Sequence, residues 1–269
     1  MGGAGERDRT HCGRPLLKIV RFQLIKYFLR DSLERMNSTL TSPTDIKAST
    51  PRHQCLIYRG SPATHFSGLS AVIRQKLTQN YRCLYFNTSA IVAAMRPYLL
   101  AEGIDLTQEL EKGGLILSSN PTHLTDEHFS IDRMLGMLEE GLNHALRDGY
   151  AGLWCTGNMP FEFGPERDFS KLLDYEWRLE EFLQLRSAIS GICQYHADTL
   201  PNEVLRQGLW AHPSLSINET LSRLNPYYIE RDSFTADSYN NPALDKTIRA
   251  LCMVPDALIL NALPPGYLH

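Results

Sequence analysis

The sequence contains no hydrophobic run that approaches the roughly 18 apolar residues needed to span a bilayer. No secretory signal precedes its cysteines either. The six cysteines lie far apart and form no CxxC pair, so we interpret them as reduced thiols and not as a disulfide framework. We therefore expect a soluble cytoplasmic protein without a transmembrane segment.

An excess of positive charge is also missing. The chain has 27 Lys and Arg against 30 Asp and Glu, which argues against direct binding of nucleic acid. Residues 1–35 are the exception, with eight basic against four acidic residues. The pattern predicts a basic helix there and a linker up to residue 52. The helix would pack on the domain or a second subunit or lie on a membrane, or else translation starts at Met36 and residues 1–35 are upstream sequence.

The common nucleotide and hydrolase signatures GxGxxG, HExxH and GxSxG are absent. A phosphate loop beginning at Gly60 would need Gly at 65 and Lys at 66, where the chain has His65 and Phe66. Pro62 also removes one backbone N–H that would bind phosphate. We therefore expect no ATP hydrolysis, and the sequence indicates no cofactor.

Short apolar runs alternate with amphipathic segments from residue 53 onwards. We predict strands over 55–58, 82–86, 115–117, 151–155 and 188–193, with helices over 65–78, 89–100, 131–147, 168–185 and from Pro201 onwards. Such alternation predicts an α/β fold, a mainly parallel sheet with helices on both faces, over residues 53–230. Residues 231–269 are interpreted as a C-terminal arm with one short helix over 243–253.

The predicted exit of the strand over 188–193 carries polar side chains, and ligands of open α/β sheets collect at the carboxyl ends of the strands. Two carboxylates could line a small apolar pocket there together with aromatic and thiol groups. The candidate ligand-binding residues are His53, Tyr58, Trp154, Asn158, Glu162, Glu176, Cys193 and Tyr195. No catalytic residue is assigned.

Two other chemistries remain open. His53, Cys55, Cys193 and His196 could converge from two strands as metal ligands, although this spacing is equally that of core-facing side chains. Cys193 could also act as an enzyme nucleophile, with His196 or a carboxylate as its base.

Six short motifs, in order along the chain, resemble one family, the MEDS sensory domain of methanogen and methylotroph regulators, which includes the dichloromethane-responsive repressor. They are His53-x-x-Leu-Ile-Tyr58, Cys155-Thr-Gly-Asn-Met159, Leu173-Asp-Tyr-Glu176, Ile192-Cys-Gln-Tyr195, His212-Pro213 and Asn225-Pro-Tyr227. The chain departs from the family at His196 and Asn158, where many members have an acid. Each departure removes a negative charge that those members carry.

The resemblance implies a RecA/KaiC-like fold with a degenerate phosphate loop and a role in sensing small, hydrocarbon-derived ligands. Family members usually precede a kinase, a DNA-binding or another output domain, and no such domain is visible here. We therefore expect a stand-alone sensory domain that binds a small molecule and acts through a signalling partner protein or a homo-oligomer. A thiol-dependent or metal-dependent enzyme is the alternative.

Overall fold

The computed structural model describes residues 52–125, 128–217 and 222–252. Nine strands lie in these ranges: β1 His53–Tyr58, β2 Tyr81–Phe86, β3 Leu115–Ser118, β4 Leu124–Thr125, β5 His128–Phe129, β6 Gly152–Asn158, β7 Ile189–His196, β8 Ser214–Ser216 and β9 Ser222–Leu224. Eight α-helices lie there too: α1 Phe66–Thr78, α2 Ser89–Ala101, α3 Leu106–Glu111, α4 Ile131–Arg147, α5 Met159–Glu162, α6 Leu172–Leu185, α7 Asn202–Ala211 and α8 Pro242–Cys252. The basic helix predicted within residues 1–35 lies outside the described residues.

Seven strands form one sheet in the order β3-β2-β6-β7-β1-β8-β9. All neighbours are parallel except β8 and β9, and β4 pairs with β5 in a separate two-stranded sheet. This topology confirms the predicted α/β fold with a mainly parallel sheet. The RecA/KaiC-like relationship stays a prediction.

Helices cover both faces of the sheet because side chains of successive strand residues point to opposite faces. One face packs on α1 and α2, with Phe66, Ile73 and Met95 in its core. The opposite face packs on α4 and α6, with residues such as Met134 and Leu179 in its core. The face to which a strand residue points therefore decides which of the two helical layers its side chain contacts.

Helix α4 shows how the sequence fixes one of these layers. Its buried residues Met134, Leu138, Leu142 and Ala145 recur every three to four positions, so they form one apolar stripe. The Ser130 side chain caps the first turn by accepting a hydrogen bond from the backbone N–H of residue 133. The predicted bounds of this helix are confirmed.

Two strand ends were predicted wrongly, and both concern the candidate site. Strand β6 continues to Asn158 and β7 continues to His196, each three residues beyond the prediction. Polar residues in these extensions are paired across the sheet: Gln194 Nε2 donates to Thr156 Oγ1 at 2.8 Å. Cys193 therefore lies inside β7 and not at its exit.

The segment after β9 packs on helix α7. Leu244 and Ile248 of α8 are buried against Leu209 and Trp210, and the backbone N–H of Ile229 donates to the carbonyl of Trp210 at 2.8 Å. Residues up to 252 thus share a hydrophobic cluster with a helix of the predicted 53–230 domain. Within the described ranges, no helix has the length and apolar character needed to cross a membrane.

Candidate functional site

The eight candidate residues divide between the two faces of the sheet. His53, Glu162, Glu176, Cys193 and Tyr195 lie together on the face covered by α4, α6 and α7. Tyr58, Trp154 and Asn158 lie on the opposite face. The structure therefore does not bring all eight into one pocket.

The group on the first face surrounds Glu176, which is fully buried in helix α6. His53 Nε2 lies 3.2 Å from Glu176 Oε2, and the hydroxyl of Tyr195 donates to Glu176 Oε1. The Cys193 thiol lies 3.8 Å from Glu176 Oε2 and 3.5 Å from His53 Nε2. Strands β1 and β7 are in register here, with His53 beside Gly191 and Cys55 beside Cys193, so one helix carboxylate faces two adjacent strands.

His212 completes this group, although we did not predict it as a site residue. Its Nδ1 donates to the carbonyl of Gly208 at 2.7 Å, and its Nε2 lies 3.6 Å from Glu176 Oε2. The absence of a side chain at Gly208 lets helix α7 pack closely on the Tyr195 ring, since a Cβ there would lie 2.8 Å from that ring. The only sequence signal for His212 was its place in the motif His212-Pro213.

The ionisable side chains around Glu176 shift one another's pKa values. Burial opposes the imidazolium form of His53, but hydrogen bonds to Glu176 and Glu180 raise its pKa to about 9. Burial also opposes ionisation of Glu176, yet the facing His212, His53 and Tyr195 groups lower the pKa of its carboxyl. Burial and the neighbouring His53 lower the pKa of His212 to about 4, so its imidazole is neutral near pH 7.

A cavity adjoins the group between β6, β7 and helices α4 and α6. The volume of the cavity is about 20 Å³, little more than one water molecule requires, so it admits a molecule of very few heavy atoms. Its walls are mainly apolar. The lining residues that contribute to the argument are Phe86, Leu138, Leu179, Leu183, Glu162 and Cys193.

Glu162 is the carboxylic acid of this cavity. It is 2% exposed, and its Oε2 accepts a hydrogen bond from the Tyr175 hydroxyl at 3.2 Å. Burial raises the pKa of Glu162 to about 8, with the Glu176 charge adding to the shift. Gly157 makes room for this side chain, because a Cβ there would lie 2.3 Å from Glu162 Oε1. At neutral pH the group is thus mainly a buried carboxylic acid that can donate a hydrogen bond.

The residues on the opposite face have other partners. Asn158 Nδ2 donates to the Tyr58 hydroxyl at 3.0 Å, and the Tyr58 ring stacks on His196 at a centroid distance of 4.8 Å. Trp154 packs in the core beneath α1 and α2. We predicted that Trp154 and Tyr58 would stand beside Glu162 and Glu176, and the sheet separates them because even and odd strand positions face opposite ways.

The pairing of Cys193 with His196, on which one form of the alternative enzyme hypothesis depends, is not present. His196 Nε2 donates to the carbonyl of Gly60 at 2.9 Å, on the face away from Cys193. The alternative metal set of His53, Cys55, Cys193 and His196 does not converge either, because His196 lies apart from the other three residues. The structure instead brings together a different set of four ionisable side chains, those of His53, Glu176, Cys193 and His212. One nitrogen, oxygen or sulfur atom of each lies within 4.8 Å of those of the other three.

The turn that follows β1 at Gly60 is closed by a carboxylate. The Gly60 N–H donates to Asp198 Oδ2 at 2.6 Å, and Arg59 Nε donates to Asp198 Oδ1 at 2.8 Å. An amide that a phosphate loop would direct at phosphate is therefore bound to an acidic side chain of the protein.

The chain matches a family model and is distantly similar to a solved structure. Residues 52–213 match the family model described as MEDS, the MEthanogen/methylotroph, DcmR Sensory domain. Among solved structures, the chain is similar to the uncharacterized protein PH0321 from Pyrococcus horikoshii, crystallised in complex with an unknown peptide. The identity is 14% and the TM-score 0.43, over 71% of this chain and 86% of that one. No curated protein matches the sequence.

Proposed function

Because this chain belongs to the MEDS family of sensory domains, we propose that it senses a small, uncharged, mainly apolar molecule bound in the cavity beside Glu162. The signal then passes to a partner protein or a second copy of the chain. The ligand that suits this cavity has a few heavy atoms and at most one hydrogen-bonding group. Small hydrocarbon-derived molecules, which the family resemblance implies as ligands, have this composition.

The cavity is the observation that supports the proposal. Leu138, Leu179 and Leu183 supply apolar walls from two helices, while β6 and β7 form the floor. A largely apolar hollow with one or two convergent polar groups is the usual form of a small-molecule site. Glu162 supplies the polar contact, since a neutral carboxylic acid donates a hydrogen bond to an alcohol or ether oxygen.

Filling the cavity tests the proposal. Leu183 is 1% exposed and lines the cavity, whereas Leu185 lies two residues further along the same helix and is 82% exposed. We expect Leu183→Phe to weaken binding of short alcohols and halogenated methanes at least tenfold, because the larger ring occupies the space. Leu185→Phe should bind as the original chain does. Binding is measured by ligand-observed NMR, with circular dichroism to confirm that both variants fold.

Glu162→Gln separates the polar contact from the apolar one. The amide has nearly the same volume but lacks the acidic O–H, so binding of alcohols should fall while binding of xenon, a purely apolar probe, should not change. Equal binding by Leu183→Phe and the original chain would contradict the proposal.

The thiol enzyme is the competing function, and thiol reactivity distinguishes the two. Cys193 is 7% exposed and burial raises the pKa of its thiol, whereas reactive thiols need a lowered pKa and access. Iodoacetamide at neutral pH should therefore modify the partly exposed Cys252 before Cys193, as measured by peptide mass spectrometry. Rapid, selective modification of Cys193 that His53→Ala suppresses would favour the enzyme, because His53 Nε2 is the imidazole nitrogen 3.5 Å from this thiol.

A further inference from the structure

Four buried side chains from four separate segments point at one small volume beneath the sheet. They are His53 of β1, Glu176 of α6, Cys193 of β7 and His212 after α7, and their side-chain nitrogen, oxygen and sulfur atoms lie within 4.8 Å of one another. Each is at most 7% exposed. Such convergence of polar groups in a hydrophobic layer is costly unless they are paired or bind an ion.

The separations between these atoms are those of tetrahedral ligands around one ion. A zinc ion about 2.0–2.3 Å from each ligand sets its ligands roughly 3.3–3.8 Å apart. Glu176 Oε2 lies 3.2 Å from His53 Nε2, 3.6 Å from His212 Nε2 and 3.8 Å from Cys193 Sγ. Cys193 Sγ lies 3.5 Å from His53 Nε2. Four of the six distances between ligand atoms thus lie within a few tenths of an ångström of the values around a tetrahedral zinc ion.

His212 gives an independent indication. It is fully buried, its Nδ1–H is bound to the Gly208 carbonyl, and its Nε2 has no hydrogen-bond partner among the described residues. Buried polar atoms are nearly always satisfied, so an unpartnered one requires a cause. An imidazole that donates one N–H to a backbone carbonyl presents its other nitrogen as a lone pair, which is the form that binds metal.

The surrounding groups orient the other ligands in the same way. His53 Nδ1 donates to Glu180 Oε2 at 3.0 Å, which directs Nε2 towards the centre of the group. Glu180 Oε1 is held by Gln184 Nε2 at 2.7 Å, and the Tyr195 hydroxyl fixes Glu176 Oε1. A carboxylate behind a metal-binding histidine, and a hydrogen bond to a ligating carboxylate, are the usual second shell of protein metal sites.

We propose that His53, Glu176, Cys193 and His212 bind one divalent transition-metal ion. Two imidazoles, a thiolate and a carboxylate are ligands that suit zinc, and a thiolate and carboxylate together neutralise its charge. Four protein ligands leave no open position, so the ion is a structural one that fastens β1 and β7 to α6 and the end of α7. This inference goes beyond the sensory role and does not depend on it.

Metal content tests the proposal directly. The full chain, purified without a histidine tag, should contain about one zinc ion per chain by mass spectrometry of the metal. Cys193→Ser and His212→Gln should each lower the zinc content or the affinity at least tenfold, as measured against a competing chelator. His196→Ala is the matched control, because His196 is a histidine of the same sheet that lies outside the group, and it should retain the ion.

Cobalt gives a readout that folding alone does not supply. Chelator-treated protein reloaded with Co²⁺ should show tetrahedral visible bands and a sulfur-to-cobalt charge-transfer band in the near ultraviolet, and Cys193→Ser should lose only the latter. A protein that holds no zinc and gives the spectrum of aqueous Co²⁺ would overturn the proposal and leave a hydrogen-bonded cluster. Leu183→Phe should still bind the ion, so failure of the cavity and failure of the metal site can be told apart.

Discussion

Replacing His53 with alanine is expected to lower the free energy of unfolding by about 3–5 kcal/mol, the cost of removing one partner from a buried ion pair. His53 lies between two carboxylates, 3.2 Å from Glu176 and 3.0 Å from Glu180, and is 1% exposed. Without the imidazole these two acids face each other in a low-dielectric layer. Urea unfolding followed by circular dichroism, with a chelator present so that no metal contributes, measures the loss.

A surface histidine provides the matched control. His128 Nδ1 lies 2.8 Å from Glu166, but both side chains are more than half exposed. His128→Ala should therefore change the free energy of unfolding by less than about 1 kcal/mol. Adding Glu180→Gln to His53→Ala should recover part of the loss, because it removes one of the unpaired charges. A loss for His53→Ala no larger than that for His128→Ala would mean that the buried pair does not stabilise the fold.

The architecture could be predicted because it follows from periodicity within each segment. Helix α4 has the predicted bounds, since a regular apolar stripe, a serine cap and Gly149 beyond the C-terminus all agree. The ends of β6 and β7 could not be predicted in this way. Thr156 and Gln194 read as polar turn residues, whereas they bond to each other on a buried face of the sheet.

Which side chains lie together at the site depends on how separate segments pack against each other, and the periodicity within one segment does not reveal that. His53, Glu176, Cys193 and Tyr195 were selected from the sequence and do lie together, while Trp154 and Tyr58 lie on the other face. The face follows from the parity of each position once the register of β1, β6 and β7 is known. His212 joins the group through the path of the chain after α7, and only its family motif marked it.

The second large effect is expected at Trp210, which joins the C-terminal segment to the sheet domain. Its ring is fully buried, with Phe234 and Tyr239 edge-on at centroid distances of 5.0 and 4.9 Å. Leu244 and Ile248 of α8 pack in the same cluster. Trp210→Ala should lower the free energy of unfolding by about 3–5 kcal/mol, because no nearby side chain can fill the volume of an indole.

Limited proteolysis shows which part of the chain Trp210→Ala destabilises. If residues 231–252 depend on Trp210 for their packing, limited trypsin digestion of Trp210→Ala should cleave at Arg231 or Arg249 well before the original chain is cut. Glu203→Ala, at an exposed position of the same helix, is the control and should cost below about 1 kcal/mol. Equal cleavage of Trp210→Ala and the original chain would mean that residues 231–252 are held by other contacts, such as the ion pair between Arg206 Nη2 and Asp245 Oδ1 at 2.6 Å.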